Sequence, residues 1–306
     1  MKSRRARWRR VKSQLMTVLA VACVVIALVP LVSILVTTVS KGWPALTSPG
    51  FFTENPSPIP CNPATNAACQ YGGIQNAIVG TLVVVGLAAL IALPAGVLAG
   101  IYMSEYGGRR SADALRFVVE VMTGIPSIVV GIFIVAIFIL GAQAGWFSPL
   151  LEESALAGAL ALSVLMLPII ARTTDEALRL VPNTVREAAL ALGISRSKTV
   201  TRVVLTTGRS AVLTGMLLGI ARAAGETAPL IVAMGFSEFA FSGLTSPAAA
   251  LPTVIYYYGF SEANYPSYQA LGWGAAAVLI GLMLAISVGA RLLFWSRARK
   301  LGMDIV

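Results

Sequence analysis

The chain has 306 residues, of which 57% are hydrophobic and only 12% are charged, and it contains no histidine. Soluble globular domains carry about 25% charged residues, so this composition excludes that class and indicates a polytopic membrane protein. The net charge of +10 would suit nucleic acid binding. However, the basic residues lie beside long apolar segments, where they act as orientation signals, so we expect no nucleic acid partner.

Six predominantly apolar runs are long enough to cross about 30 Å of hydrocarbon as helices. They are Leu15–Val39, Asn76–Met103, Phe117–Leu140, Ala155–Ala171, Ala211–Gly235 and Ala270–Trp295. A transmembrane barrel would show short segments of alternating hydropathy, and the sequence has none. The sequence therefore predicts an all-α fold with six transmembrane helices in the lipid bilayer.

Basic residues mark one side of the predicted membrane domain. They precede span one, lie between spans two and three and between spans four and five, and follow span six, whereas Lys41 is the only basic residue in the outer loops. By the positive-inside rule both termini are cytoplasmic. Span one resembles a signal peptide, but it is too long for an apolar signal core and no small-x-small cleavage site follows, so we interpret it as a retained anchor.

The outer loop after span one contains Cys61 and Cys69. A disulfide persists on the outer side of a membrane, so these two residues either form a bridge or remain free thiols. Neither has a histidine or an acidic cluster beside it, so we expect no metal site. We divide the chain into residues 1–71, with the N-terminus, the first span and this loop, and residues 72–306, a five-helix core.

A short polar segment between spans four and five has the features of an exposed helix. Thr184 and Glu187 have the S/T-x-x-E spacing of a capping box, and Gly193 stands where a glycine ends a helix in the left-handed conformation. These positions predict a helix of about 8 residues, or ~12 Å. An amphipathic helix in a cytoplasmic loop indicates a docking site for another protein.

A second capping box lies just upstream of this helix. Thr173 and Glu176 have the same spacing and predict a separate helical turn. Pro182 separates the two helical segments, because proline cannot continue the first. We expect the whole loop, about residues 172–209, to be cytoplasmic.

Span five contains two charged residues, Arg222 and Glu226. An arginine at the centre of an isolated membrane helix costs ~2.5 kcal/mol or more, and Glu226, one turn away on the same face, can pair with it. The pair is either a structural tie between helices or a charge pair that lines a polar path. Pro229 follows and predicts a bend or interruption of the helix.

Span three contains a further acidic residue, Glu120, which we predict to be buried, followed by Pro126 and Ser127 in a Gly-Ile-Pro-Ser sequence. This sequence predicts an interrupted or kinked helix that either presents its backbone to a cavity or packs against protein. The chain has no P-loop, no histidine for acid–base or metal chemistry and no buried serine with a basic partner. The sequence therefore predicts that this chain is not an enzyme.

Two functional classes remain, a transporter subunit driven through its cytoplasmic loop and a channel or membrane scaffold. The pattern Glu187-Ala188-Ala189-x3-Gly193 resembles the EAA loop of the transmembrane subunits of bacterial ATP-binding cassette (ABC) importers. That resemblance implies the architecture of a type I importer permease and assigns ATPase coupling to Glu187, Ala188, Ala189 and Gly193.

Four further segments resemble the phosphate-specific members of this importer family, over about residues 72–295. They are Gly72–Thr81, Ser104-Glu105-Tyr106, Gly124–Gly131 and Ala221–Leu230. The Gly-Glu-Thr-Ala-Pro block in the last segment favours the PstA branch of the family over the PstC branch.

The resemblance implies a permease in the bacterial plasma membrane that transports inorganic phosphate. Its implied partners are a PstC-like permease, two ATP-binding subunits and an extracytoplasmic phosphate-binding protein. ATP and Mg²⁺ would be held by the ATPase, so this chain would bind no cofactor. Arg222 would attract the anion and Glu226 would neutralise the arginine when the path is empty. A permease for sulfate, molybdate or phosphonate is the alternative.

Overall fold

The computed structural model describes residues 2–57, 59, 61–62, 65, 69, 71–108, 110–261 and 264–300. In chain order the helices are α1 (Lys2–Leu46), α2 (Gln75–Glu105), α3 (Arg110–Thr123), α4 (Ser127–Gln143), α5 (Ala155–Arg179), α6 (Asn183–Ala191), α7 (Arg196–Lys198), α8 (Leu205–Ala224), α9 (Ala228–Ala233), α10 (Leu251–Tyr256) and α11 (Pro266–Lys300). A 3-10 turn at Pro149–Leu151 and π-helical segments at Thr199–Val204 and Tyr257–Ser261 complete the helical structure of these residues. The all-α fold class is confirmed.

Five helical segments in the described part of the chain are long and apolar enough to cross a membrane. They are Val11–Leu46, Gln75–Glu105, Ala155–Arg179, Arg196–Ala224 and Pro266–Gly289. A sixth crossing results if α3 and α4 count as one broken span. The structure thus contains five or six crossings, in agreement with the number expected from the apolar runs.

Span three is interrupted within its predicted bounds, Phe117–Leu140. Helices α3 and α4 meet at an angle of 103° across the short break after Thr123. Pro126 has no N–H to donate, and it disfavours the helical conformation at Ile125. The interruption expected at this proline is therefore confirmed, and it produces two separate helices rather than a kinked span.

Span five is also divided. Helix α8 ends at Ala224, and α9 begins at Ala228 after three intervening residues, with Pro229 in its first turn. Proline is well tolerated there because the first N–H groups of a helix have no partner within the helix. The predicted interruption near Pro229 is confirmed, but the continuous span from Ala211 to Gly235 is not.

Helix α5 occupies the centre of the bundle and packs between α2 and α8. On the α2 side, a methyl group at Gly96 would lie 2.8 Å from Ile170 Cβ, and one at Gly100 would lie 2.5 Å from Thr174 Cβ. On the α8 side, a methyl group at Gly219 would lie 3.1 Å from Ile170 Cγ1. Small residues four positions apart let helices approach closely in a membrane, so these glycines explain why α5 is the most enclosed crossing.

The end of the bundle formed by α10 and the start of α11 includes residues from both predicted domains. Ala45 and Phe51, from the first of them, are buried in one apolar cluster with Ile74 and residues of α10 and α11. The division at residues 71 and 72 stays a prediction, and residues 301–306 of the predicted core lie outside the described residues. Cys61 and Cys69 are joined by a disulfide.

The long loop between α9 and α11 folds back into the bundle. Its backbone is held by α2, because the N–H of Leu251 donates to the Thr81 hydroxyl at 2.8 Å and the Asn76 amide donates to the carbonyl of Ser237 at 3.0 Å. Helix α10 is buried at its first four residues. The loop is therefore a re-entrant part of the core rather than a surface connection.

Candidate coupling helix and translocation path

Helix α6 has the boundaries of a compact, rigid element. Pro182 precedes it with a φ of −60°, and Gly193 follows it with a φ of +76°. The N–H of Gly193 donates to the carbonyl of Leu190 at 2.9 Å, and the N–H of Ile194 donates to that of Ala189 at 3.2 Å. These two bonds form a Schellman motif, which requires a left-handed residue. The predicted role of Gly193 as helix terminator is confirmed.

The capping boxes predicted around this helix are wrong. Helix α6 begins at Asn183, one residue before Thr184, and no side-chain hydrogen bond caps its N-terminus. Thr173 lies inside α5, where its hydroxyl donates to carbonyls of the preceding turn, and Glu176 pairs with Arg172 instead. The first helix therefore continues from span four without a break, since the i,i+3 and i,i+4 neighbours of a helix satisfy both side chains.

The outward face of α6 is available for another protein. Glu187 and Ala188 are exposed, whereas Ala189 is buried against the rest of the loop. Leu190 and Leu192 are 48% and 81% exposed. Large apolar side chains beside a carboxylate on an exposed helix are typical of a protein–protein interface. Burying such side chains against a partner removes them from water, and this supplies most of the binding energy.

A largely buried ion pair attaches α6 to the C-terminal end of α2. The guanidinium of Arg186 lies 2.9 Å from Glu105 Oε1, and the two side chains are only 17% and 7% exposed. Arg186 also donates to the carbonyls of Leu178 and Val181, at the end of α5 and just beyond it. One side chain therefore links α6 to the ends of two membrane helices.

Two more arginines satisfy the terminal carbonyl groups of α2. Arg116 of α3 donates to the carbonyl of Met103 at 2.8 Å, and Arg196 of α7 donates to that of Glu105 at 2.6 Å. The Arg196 guanidinium also lies over the Tyr106 ring at 4.9 Å. The last carbonyls of a helix lack partners within it and carry partial negative charge, so cations are favoured here. Sequence reasoning missed these contacts, although it singled out Ser104-Glu105-Tyr106.

Arg222 and Glu226 lie at mid-depth in the bundle. Gly208 of α8 packs on Leu178 near the C-terminal end of α5, and Gly219 packs on Ile170, closer to its middle. The two helices are antiparallel, so Arg222 is level with the centre of α5. It occupies the last turn of α8, immediately before the interruption that separates α8 from α9.

The two charged side chains are paired, as their spacing predicts. Arg222 Nε lies 3.7 Å from Glu226 Oε1. The arginine side chain is 66% exposed on the surface of this chain, and the glutamate is 22% exposed. An arginine facing hydrocarbon at this depth costs ~2.5 kcal/mol or more. A water-lined path or a second protein chain next to α8 would remove that cost.

The predicted site residues of span three are more exposed than expected. Glu120 is exposed on α3, so its predicted burial is wrong, because α3 packs on α2 and α5 through its other face, which carries Val119. Pro126 is exposed and Ser127 is partly buried at the start of α4. The three residues lie on both sides of the bend, and their predicted place in a cavity stays a prediction.

Comparisons with known proteins establish the family. Residues 92–299 match the model of the binding-protein-dependent transport system inner membrane component. The chain is 38% identical, over 94% of its length and 95% of the relative's, to the phosphate transport system permease protein PstA of Haemophilus influenzae. It is 36% identical, over 95% of its length and 91% of the relative's, to PstA 1 of Mycobacterium tuberculosis.

Solved structures show the same fold at low identity. An inward-facing MetNI methionine ABC transporter matches with a TM-score of 0.53 at 19% identity, over 73% of this chain and 93% of the other. A bacterial ABC transporter for alginate matches with a TM-score of 0.51 at 18% identity, over 74% and 82%. With a family match over more than half of its length and full-length relatives above 30% identity, the chain belongs to the binding-protein-dependent inner membrane transport components and, within them, to the PstA group.

Proposed function

We propose that this chain is the PstA-type permease subunit of an ATP-driven importer of inorganic phosphate. The observation that supports phosphate as the substrate is the sequence identity of 38% and 36% with PstA phosphate permeases over nearly the whole chain. Permeases of this kind cross the membrane several times and do not hydrolyse ATP themselves. ATP and Mg²⁺ belong to the partner ATPase, and this chain supplies half of the membrane path.

The contact with the ATPase is assigned to the outward face of α6. Glu187 and Ala188 are exposed there, and Leu190 and Leu192 extend the apolar part of the surface. The buried pair of Arg186 makes α6 move together with the ends of α2 and α5. Closure of the ATPase around nucleotide would therefore be transmitted to two membrane helices at once.

The translocation path is assigned to the surface of α8 that carries Arg222. Phosphate is an anion and needs a positive group at mid-membrane, and Arg222 supplies one whose side chain is 66% exposed. Glu226 offsets that charge when no anion is present, so the arginine need not hold the ion tightly. The exposed position of Arg222 also supports a PstC-like permease as the chain that covers α8 and closes the path.

We infer the orientation from the positions of the basic residues. Arginine and lysine lie beside the inner ends of the crossings, which supports cytoplasmic termini in the bacterial plasma membrane. In this orientation α6 faces the cytoplasm and the re-entrant α10 region faces outward. An extracytoplasmic phosphate-binding protein would dock on that outer side, and two copies of the ATPase would dock on the inner side.

Copurification tests the assembly. A tagged version of this chain, expressed in its own host and extracted in mild detergent, should retain a second permease and an ATPase in a ratio of one to one to two. ATP hydrolysis by the complex should rise when the phosphate-loaded binding protein is added. A complex that contains no ATPase, or one that responds to a sulfate-loaded or molybdate-loaded binding protein instead, would contradict the proposal.

A further inference from the structure

A polar cleft lies behind the coupling helix, on the side that faces the membrane helices. Its volume is about 460 Å³, and its lining comes from the ends of α2 and α5, the inner face of α6, and the start of α7 with the π-helical segment after it. The polar residues of this lining include Ser104, Arg179, Asn183, Arg186, Arg196 and Thr199. Leu190, from the surface assigned above to the ATPase, lies at its edge, whereas Glu187, Ala188 and Leu192 of that surface do not line it.

The cleft has an excess of positive charge. Three arginines line it, against the single carboxylate of Glu105. Arg186 is fully engaged, because all three of its nitrogens donate to Glu105, to backbone carbonyls or to Asn183. Glu105 is in turn neutralised by Arg186. Arg179 is paired through its Nε with Asp175, outside the lining, whereas Arg196 has no ion-pair partner among the described residues. The cleft therefore offers a ligand the charge of Arg196 and the unused donors of Arg179.

Arg179 and Arg196 retain hydrogen-bond donors. Arg179 uses its Nε on Asp175 at 2.9 Å, and Arg196 uses one terminal nitrogen on the carbonyl of Glu105. Among the described residues, the terminal nitrogens of Arg179 and the other two nitrogens of Arg196 have no hydrogen-bond partner. The stacking of Arg196 on Tyr106 fixes the plane of its guanidinium. Guanidinium groups held in this way are suited to bidentate contacts with phosphate oxygens.

We propose that this cleft binds a phosphate group on the cytoplasmic side of the protein, between Arg179 and Arg196. The volume lies in the range of about 300–1,000 Å³ that small-molecule sites occupy, so a phosphate fits together with water or with an attached organic group. A bound phosphate connects the last turn of α5 to α7. Helix α6 lies between these two points in the chain, so occupancy of the cleft restrains the coupling helix.

This site does not rest on phosphate being the transported substrate. The phosphate group could belong to free inorganic phosphate or to the headgroup of an anionic lipid at the inner membrane surface, and the test separates these sources. It measures local binding at the cleft and not uptake. An importer of another anion would still hold a phosphate here, and a phosphate importer would still transport phosphate if this cleft bound none.

The experiment uses the assembled importer in nanodiscs of zwitterionic lipid, with inorganic phosphate as the probe. Hydrogen–deuterium exchange of peptides from residues 179–200 reports occupancy locally as phosphate is titrated. The variant R179Q/R196Q should weaken the apparent affinity at least about tenfold, equivalent to the loss of one strong charge-assisted bond. The control R202Q/R209Q removes the same charge at two exposed residues of the same region, and should change the affinity less than about twofold.

Two further arms complete the test. Arg196→Gln alone removes no ion pair and should still weaken binding about threefold or more, which covers the case in which the double variant does not assemble. Replacing part of the lipid by phosphatidylglycerol identifies the source. If the anionic lipid gives the same protection without added phosphate, and R179Q/R196Q abolishes it, the headgroup is the natural ligand.

Three results would overturn the proposal. One is protection of residues 179–200 that is equal in the wild type and in R179Q/R196Q. Another is an equal loss in the R202Q/R209Q control, which would mean general attraction to a basic surface. The third is that neither phosphate nor phosphatidylglycerol protects this segment in the assembled importer, as expected if an acidic segment of the ATPase fills the cleft.

Discussion

Replacing Glu105 with Gln should release the coupling helix from the membrane helices. The change removes the counter-charge of Arg186, whose side chain is only 17% exposed. Breaking a buried pair by removing one partner typically costs ~3–5 kcal/mol. Arg186 keeps the carbonyls of Leu178 and Val181 as acceptors, and the new amide still accepts one hydrogen bond. We therefore expect Glu105→Gln to destabilise the docked position of α6 by about 3 kcal/mol, the lower end of that range.

A cost of this size changes the docked-to-undocked ratio of α6 by a factor of about 150. The amides of α6 in the assembled importer should then exchange with solvent roughly 100-fold faster, because local opening governs their protection. Transport per ATP hydrolysed should fall, since ATPase closure would no longer move α2. Hydrogen–deuterium exchange and the ratio of transport to hydrolysis measure the two effects separately.

Glu176→Gln is the matched control. It breaks the Arg172–Glu176 pair, which has the same 2.9 Å separation. The side chain of Arg172 is 59% exposed and that of Glu176 is 61% exposed. Exposed pairs contribute about 0–1 kcal/mol, so exchange in α6 should change by less than about fivefold. Equal exchange in the two variants would refute the role of burial, and normal coupling in Glu105→Gln would refute the role of the pair.

Three further changes test other parts of the structure. Gly193→Val should abolish uptake but leave membrane insertion normal. No atom lies within 4 Å of the added Cβ, so the substitution is opposed only by the φ of +76°, which valine disfavours. Gly193→Asn should retain uptake, and normal uptake in Gly193→Val would disprove the explanation. The exchanged pair Arg222→Glu with Glu226→Arg should assemble but not transport phosphate, whereas transport at the original rate would make the pair a structural tie. Replacing Cys61 and Cys69 by Ser should remove about 2.5 kcal/mol from the stability of the outer loop and speed its proteolysis, while unchanged proteolysis would show that the bridge is dispensable.

The crossings could be predicted from sequence because their signal is local. A run such as Gln75–Glu105 carries its hydropathy and its length within itself. The end of α6 was equally predictable, since Gly193 is the residue type that a left-handed helix terminus requires. Each of these features depends on a few neighbouring residues and on the membrane as solvent.

The angle between α3 and α4 was not predictable in the same way. Proline and glycine residues at 124–126 indicate an interruption, but the 103° bend depends on where α3 finds its contacts. Arg116 lies 3.5 Å from Asp175 of α5 and donates to the carbonyl of Met103. These are long-range contacts, so a single sequence contains no sign of them, and Glu120 was placed in the interior for that reason.

The link between the coupling helix and the membrane helices was missed for a related reason. Glu105 and Arg186 are separated by 81 residues, and no local pattern joins them. The short S/T-x-x-E pattern, in contrast, matched twice without forming a cap. Thr173 satisfies its hydroxyl within α5, and α6 begins before Thr184. A four-residue pattern is therefore weak evidence when the surrounding packing determines where a helix starts.

The most direct test of the account is phosphate uptake into proteoliposomes that contain the complete importer, with ATP inside and the loaded binding protein outside. We predict ATP-dependent accumulation of labelled phosphate, little accumulation of sulfate or molybdate supplied with the same binding protein, and loss of phosphate uptake in Arg222→Gln with partial retention in Arg222→Lys. Uptake of another oxyanion in place of phosphate, or full phosphate uptake by Arg222→Gln, would contradict the account.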